Sequence, residues 1–143
     1  MAVFTPLTLS NIAPRIATEF EIGEAIRLEG IHGGIENSNF FLDCKVNHEV
    51  QLYVLTIFER LSFAQLPYYL ELMLHLANQG INVPKPIANR SGQLLFELKG
   101  KPAAIVTKLP GTSELRPQVQ HCHQVGIELA KMHLAGQSFS LSQ

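Results

Sequence analysis

Residues 29–44, EGIHGGIENSNFFLDC, place three glycines, two asparagines and a serine between apolar runs that alternate like strands. Two chemistries fit such a stretch. A Gly-rich turn between strands can wrap main-chain N–H groups around phosphate oxygens, or it can be a tight hairpin with no ligand. Taken alone, the loop leaves both open. His121-Cys122-His123 offers imidazole and thiolate, the usual zinc donors. On a helix, however, adjacent side chains point in different directions, and a helical metal pair uses i, i+4 spacing. The geometry therefore argues against a metal there. His133, near a predicted helix end, fits a packed or carbonyl-facing imidazole better than a catalytic one. Glu36, within the Gly-rich stretch, carries the wrong charge for a triphosphate and is read first as a residue that shapes the loop.

The elements that would position these residues follow from periodicity. Leu9, Ile12, Ala13, Ile16 and Ala17 lie on one helical face of residues 8–18, although Pro14 interrupts it. Residues 25–31, 38–46 and 50–58 read as strands, the last two joined by the polar turn Asn47-His48-Glu49. A helix should run from Ser62, as N-cap, to Gly80. Past Pro84 and Pro86, residues 93–98 and 102–109 read as strands across Lys99-Gly100-Lys101. After the connector PGTSELRP, residues 118–135 form a second helix striped with Val119, Cys122, Gly126, Leu129 and Ala130. The predicted class is α+β, an antiparallel sheet of about five strands with one long crossing helix.

Composition narrows the function classes. The chain has 143 residues, 46% apolar and 16% charged, with a net charge of −1 and no long basic run. That suits a packed domain and argues against nucleic acid, whose phosphates need clustered Lys and Arg. No apolar run reaches about eighteen residues, and the N-terminus lacks a basic then apolar leader, so no membrane partner is expected and the cytoplasm is the default location. Cys44 and Cys122, without a C-x-x-C, read as packed, reduced thiols.

The wording of several segments is familiar. GGIENSNFFLD, YVLTIFERL, LPYYLELMLHLANQGINVPKPI, GKPAAIVTKLPG and VGIELAKMHLAG together resemble the bacterial homoserine kinases of the aminoglycoside phosphotransferase-like, kinase-fold superfamily, from about Phe4 to Gly136. The resemblance implies a protein kinase-like N-lobe over residues 1–109, a hinge over 110–117, and the first helix of a C-lobe over 118–143. It also implies transfer of phosphate from ATP, with magnesium, to the hydroxyl of L-homoserine in threonine biosynthesis. Gly33, Gly34, Ser38 and Asn39 would then meet the ATP phosphates. Thr107 C=O and Leu109 N–H would meet adenine, with Val106 behind them.

Two departures from the kinase pattern qualify this. The strand position that usually carries a phosphate-binding Lys holds Thr56, and Tyr68 and Tyr69 stand where its carboxylate partner would be, with Glu71 close by. Arg60 or Lys45 is the expected substitute cation. The sequence also has one aspartate, Asp43, read as a solvent-facing strand residue, and no H-x-D-x-x-x-x-N. Phosphoryl transfer needs an acidic catalytic loop and metal ligands. No catalytic or metal-ligating residue is therefore assigned within the chain, which is expected to be inactive alone and to expose apolar surface that a C-lobe, or self-association, would cover. The alternatives are another small-molecule kinase of the superfamily, a catalytically dead nucleotide-binding or interaction module, or a ligand-free α+β domain.

Overall fold

The computed structural model describes residues 4–141. Three helices, α1 (Leu9–Glu19), α2 (Leu66–Asn78) and α3 (Val119–Gly136), accompany five strands, β1 (Glu24–Gly30), β2 (Asn37–Val46), β3 (Glu49–Phe58), β4 (Phe96–Leu98) and β5 (Lys101–Thr107). The strands form one antiparallel sheet in the order β1-β2-β3-β5-β4.

The core lies between the sheet and α1. Ile12 and Ile16, spaced i, i+4, and Phe20 just past the helix meet Phe40, Leu42, Cys44, Leu55, Ile57, Ala103 and Ile105, all buried. Because side chains alternate along a strand, these positions define one face. Within β1 the register shifts at Ile26, which forms a bulge between the pairs Ala25↔Cys44 and Arg27↔Asp43, so Ala25 and Leu28 both reach the core three residues apart. Pro14 is tolerated because it sits on the exposed side of α1, while Ile12 and Ile16 fix the opposite side. Arg15 fastens α1 to the sheet edge, donating to the Glu97 carbonyl and lying 5.1 Å over the Phe96 ring.

Several boundaries differ from expectation. The second helix starts at Leu66, not Ser62; Ser62 and Gln65 close a turn instead, and Pro67 supplies the fixed φ of a first helical turn. Strand β4 covers only Phe96–Leu98, because Asn89 draws the preceding residues into a loop: its Oδ1 accepts the N–H groups of Ser91 and Gln93 at 3.0 and 2.9 Å. Asp43 is buried, not solvent-facing, and accepts from Arg27 at 3.2 Å. Cys44 is packed, burial pushing its thiol up to about 11, but Cys122 is exposed.

Helix α3 contrasts with the rest. It buries no residue, and Val119, Val125, Ile127, Leu129 and Leu134 are all exposed. Its attachment is at one end, where His75 of α2 meets the Ala135 carbonyl at 2.9 Å and Ser138 Oγ at 3.1 Å. Among the described residues, no helix is long and apolar enough to cross a membrane.

Candidate functional site

The sheet face opposite α1 carries the candidate site, and the strand register lays it out in rows. Phe41, Val54 and Val106 are cross-strand partners on β2, β3 and β5, with Glu29 completing the row on β1. The next row toward the Gly-rich loop is Asn39, Thr56 and Ala104. An apolar strip thus gives way to a polar pair, then to the loop. That sequence of surfaces suits a flat aromatic group followed by an anion.

Residues 31–36 make the loop between β1 and β2, closed by Ile31 N–H donating to Asn39 C=O at 2.8 Å. Gly33 has φ +148° and nothing within 4 Å of where a Cβ would stand, so its backbone angle, not crowding, calls for glycine. Gly34 is half-buried beside it, and Ile35 at the tip is 84% exposed.

The predicted phosphate contacts separate. Asn39 lies in the polar row, its Oδ1 accepting from Thr56 Oγ1 at 2.8 Å, which turns its NH2 group away from Thr56 and leaves it to donate elsewhere. Thr56, at the expected lysine position, therefore orients an amide and brings no charge. Ser38 points to the other face and is fully buried; its hydroxyl accepts from Phe4 and Thr5 N–H and donates to Glu59. As a side-chain phosphate donor Ser38 is corrected: strand alternation and three partners commit its hydroxyl elsewhere.

The two candidate cations separate in the same way. Arg60 follows the end of β3 and sits 3.7 Å from Glu36 of the loop, both well exposed. Lys45 is on β2 six residues from Asn39, about 20 Å at the rise of a strand. Lys45 is thus at the far end of the sheet from the Gly-rich loop, and of the two candidates Arg60 is the one beside it.

The predicted adenine edge is open. Lys108 N–H donates to Leu52 C=O at 3.0 Å, and the alternation of an antiparallel ladder then turns the Thr107 carbonyl away from β3. Thr107 N–H donates to Lys85 C=O at 2.9 Å, and its hydroxyl accepts from Lys85 N–H at 2.9 Å. Leu109 N–H has no partner among the described residues. Val106 lies directly behind, in the apolar row.

Phe41 and Lys108 belong to this surface and were missed. The Lys108 ammonium lies 4.5 Å over the Phe41 ring. The available signal was parity: in SNFFLDC, Phe41 shares a face with Asn39 and not with Phe40.

Clefts of about 450 Å³, lined by Phe63, Pro67, Leu70, Glu71 and residues 93–97, and of about 570 Å³ between α2 and the end of α3, include none of Gly33, Asn39 or Val106. Among the described residues, no three His, Cys, Asp or Glu side chains come together as metal ligands. His121 instead accepts from Gln118 N–H at 2.9 Å at the start of α3.

The model of the phosphotransferase enzyme family matches residues 27–142, which spans both the loop and α3. The chain belongs to the phosphotransferase enzyme family. Relatives within reach of the whole chain include homoserine kinases of Cupriavidus necator, 58% identical over 143 residues, and of a Janthinobacterium species, 52% identical over the same length. Each match covers 100% of this chain but 43% of the relative, so the chain spans under half the length of the proteins it matches. Among solved structures, an amicoumacin kinase in complex with AMP-PNP and Ca2+ aligns over 92% of this chain and 41% of that one, with a TM-score of 0.74 and 16% identity. A spectinomycin phosphotransferase in complex with ADP aligns over 96% and 40%, with a TM-score of 0.69 and 15% identity. These two structures share the fold, and the kinase-like N-lobe architecture expected from the sequence is the one observed.

Proposed function

We propose that this chain is the nucleotide-clamping part of an ATP-dependent homoserine kinase. The observation that carries the substrate is the 58% identity to a homoserine kinase across every residue of the chain. The nucleotide half is supported by the site: the apolar row Phe41, Val54 and Val106 takes the base, Thr107 C=O and Leu109 N–H take its edge, and Asn39 with Gly33 and Gly34 takes the phosphates. Phosphoryl transfer is catalysed by placement and by charge stabilisation more than by covalent chemistry. In this chain Asn39, held by Thr56, is the placed donor, and Arg60, once it exchanges Glu36 for phosphate, is the mobile cation.

The division of labour follows. Residues 1–109 make one wall, 110–117 the hinge, and 118–143 open the second lobe, whose remainder supplies the opposite wall and the base that takes the homoserine proton. Magnesium, which ATP brings and which offsets the charge on its phosphates, takes its protein ligands from that remainder too. The exposed apolar residues of α3 are covered by it, or by a second copy where it is absent. Threonine biosynthesis in the cytoplasm is the corresponding setting.

The test is turnover by the full-length gene product with ATP and magnesium, offering L-homoserine, choline, methylthioribose and an aminoglycoside in parallel. Phosphorylation of homoserine above the others is expected, with none from the 143-residue chain alone. Transfer to one of the others, or to none, overturns the assignment.

A further inference from the structure

Four residues from distant parts of the chain meet under the start of β2, on the α1 side of the sheet. Ser38 Oγ accepts the N–H groups of Phe4 at 2.8 Å and Thr5 at 2.9 Å, and donates to Glu59 Oε1 at 2.6 Å. Thr5 Oγ1 donates to the same oxygen at 2.7 Å. Lys101 pairs with the other oxygen of Glu59 and donates to Thr5 Oγ1 at 2.9 Å. The Glu59 side chain is 11% exposed and Ser38 is fully buried.

The Lys101 side chain is 39% exposed, so the pair is only half-buried; such an ion pair gains little net stability, because desolvation and solvent screening offset the attraction, and what it can fix is a geometry. The geometry here is the root of the Gly-rich loop. Ser38 is the second residue of β2, and the peptide after it leads to Asn39, whose side chain faces the opposite side. Rotating or shifting Ser38 therefore moves the Asn39 amide, and with it the loop that ends at Glu36.

We infer that Glu59 and Lys101, acting through Ser38 and Thr5, are positioning residues for the phosphate-binding loop. The inference rests on the nucleotide-clamp reading above. None of the four side chains needs to touch nucleotide; the latch holds one face of β2 so that the other presents Asn39 and the loop in a single arrangement.

The experiment uses the full-length gene product as wild type, Lys101→Met, Lys101→Arg and Thr5→Val, measuring ATP affinity by calorimetry, KM for ATP and for the phosphoryl acceptor, and Tm. Lys101→Met should weaken ATP binding roughly ten- to a hundredfold, the scale of a small misplacement, with the acceptor KM unchanged and ATP affinity recovered by Lys101→Arg. Thr5→Val, which keeps the ion pair, should show the same ATP-specific loss in milder form, and it decides the matter should Lys101→Met not fold. Folded variants with lowered Tm but wild-type ATP affinity would make the latch purely structural and overturn the inference. Failure of the wild type itself to bind ATP would overturn the clamp reading first, and is distinguished by appearing before any substitution.

Discussion

The two faces of the sheet are built from the same strands yet do different work. On the α1 face, every second residue of β2 and β3 near the centre is buried: Phe40, Leu42, Leu55 and Ile57. On the other, their immediate neighbours Asn39, Phe41, Val54 and Thr56 are only half-buried. One face holds the fold, and the other remains available as a surface. The contrast extends to α3, which has apolar residues in plenty and buries none. Apolar content alone does not make a core; it needs a facing element.

Substitutions in neighbouring positions sharpen the comparison. Leu55→Ala should cost about 3 kcal/mol through lost burial and a residual cavity, while Val54→Ala, one residue away, should cost about 1 kcal/mol. Equal shifts of the urea midpoint would erase the distinction between the faces. For function the order should reverse: Asn39→Ala should weaken ATP binding roughly tenfold, the value of a lost hydrogen bond to a charged group, with little change in unfolding. Titration calorimetry beside thermal melts checks both halves.

Acid should act on the closed face. Burial alone would push the Glu59 carboxyl up, but hydrogen bonds from Lys101, Ser38 and Thr5 and the Lys101 charge outweigh it and hold it below the ordinary 4.5. A depressed carboxylate contributes stability that is fully present above its unfolded value and is lost as pH falls through the folded one. Melting temperature should therefore drop below about pH 4.5. Glu59→Gln, which has no charge to lose, should flatten that part of the profile; Glu19, held low by its hydrogen bond from Arg15, leaves a remainder of the same sign. The smallest effect belongs to the loop tip. Glu36→Gln breaks a pair whose side chains are 68% and 73% exposed, and should change stability by less than about 0.5 kcal/mol.

Much of this was legible in sequence because it is local. Alternation in SNFFLDCKV and VQLYVLTIF gave two long strands, and Asn47 and His48, both at positive φ, make the polar turn between them. The 3.6-residue period placed α1 and α3 within a residue of their ends. The Gly-rich loop also stands where it was expected, between β1 and β2. What could not be read is what depends on distant partners. Ser38 has the composition of a phosphate donor, and only residues 33 and 34 positions earlier reveal its hydroxyl as a latch. Asp43 looks solvent-facing until Arg27 is brought across the bulge at Ile26. Lys45 is as good a cation as Arg60 on paper, and strand length alone removes it. The shortening of β4 lay in a single side chain, Asn89, that competes for the strand's own main-chain groups.

Hydrogen exchange on the full-length protein, with and without a non-hydrolysable ATP analogue, tests most directly whether the open face is the nucleotide face. Exchange should slow at residues 31–39 and 107–109 and remain unchanged in α1 and in the β4 loop. Binding of the analogue with no slowing in either segment, or with protection confined to the α1 side, would contradict the assignment of the two faces.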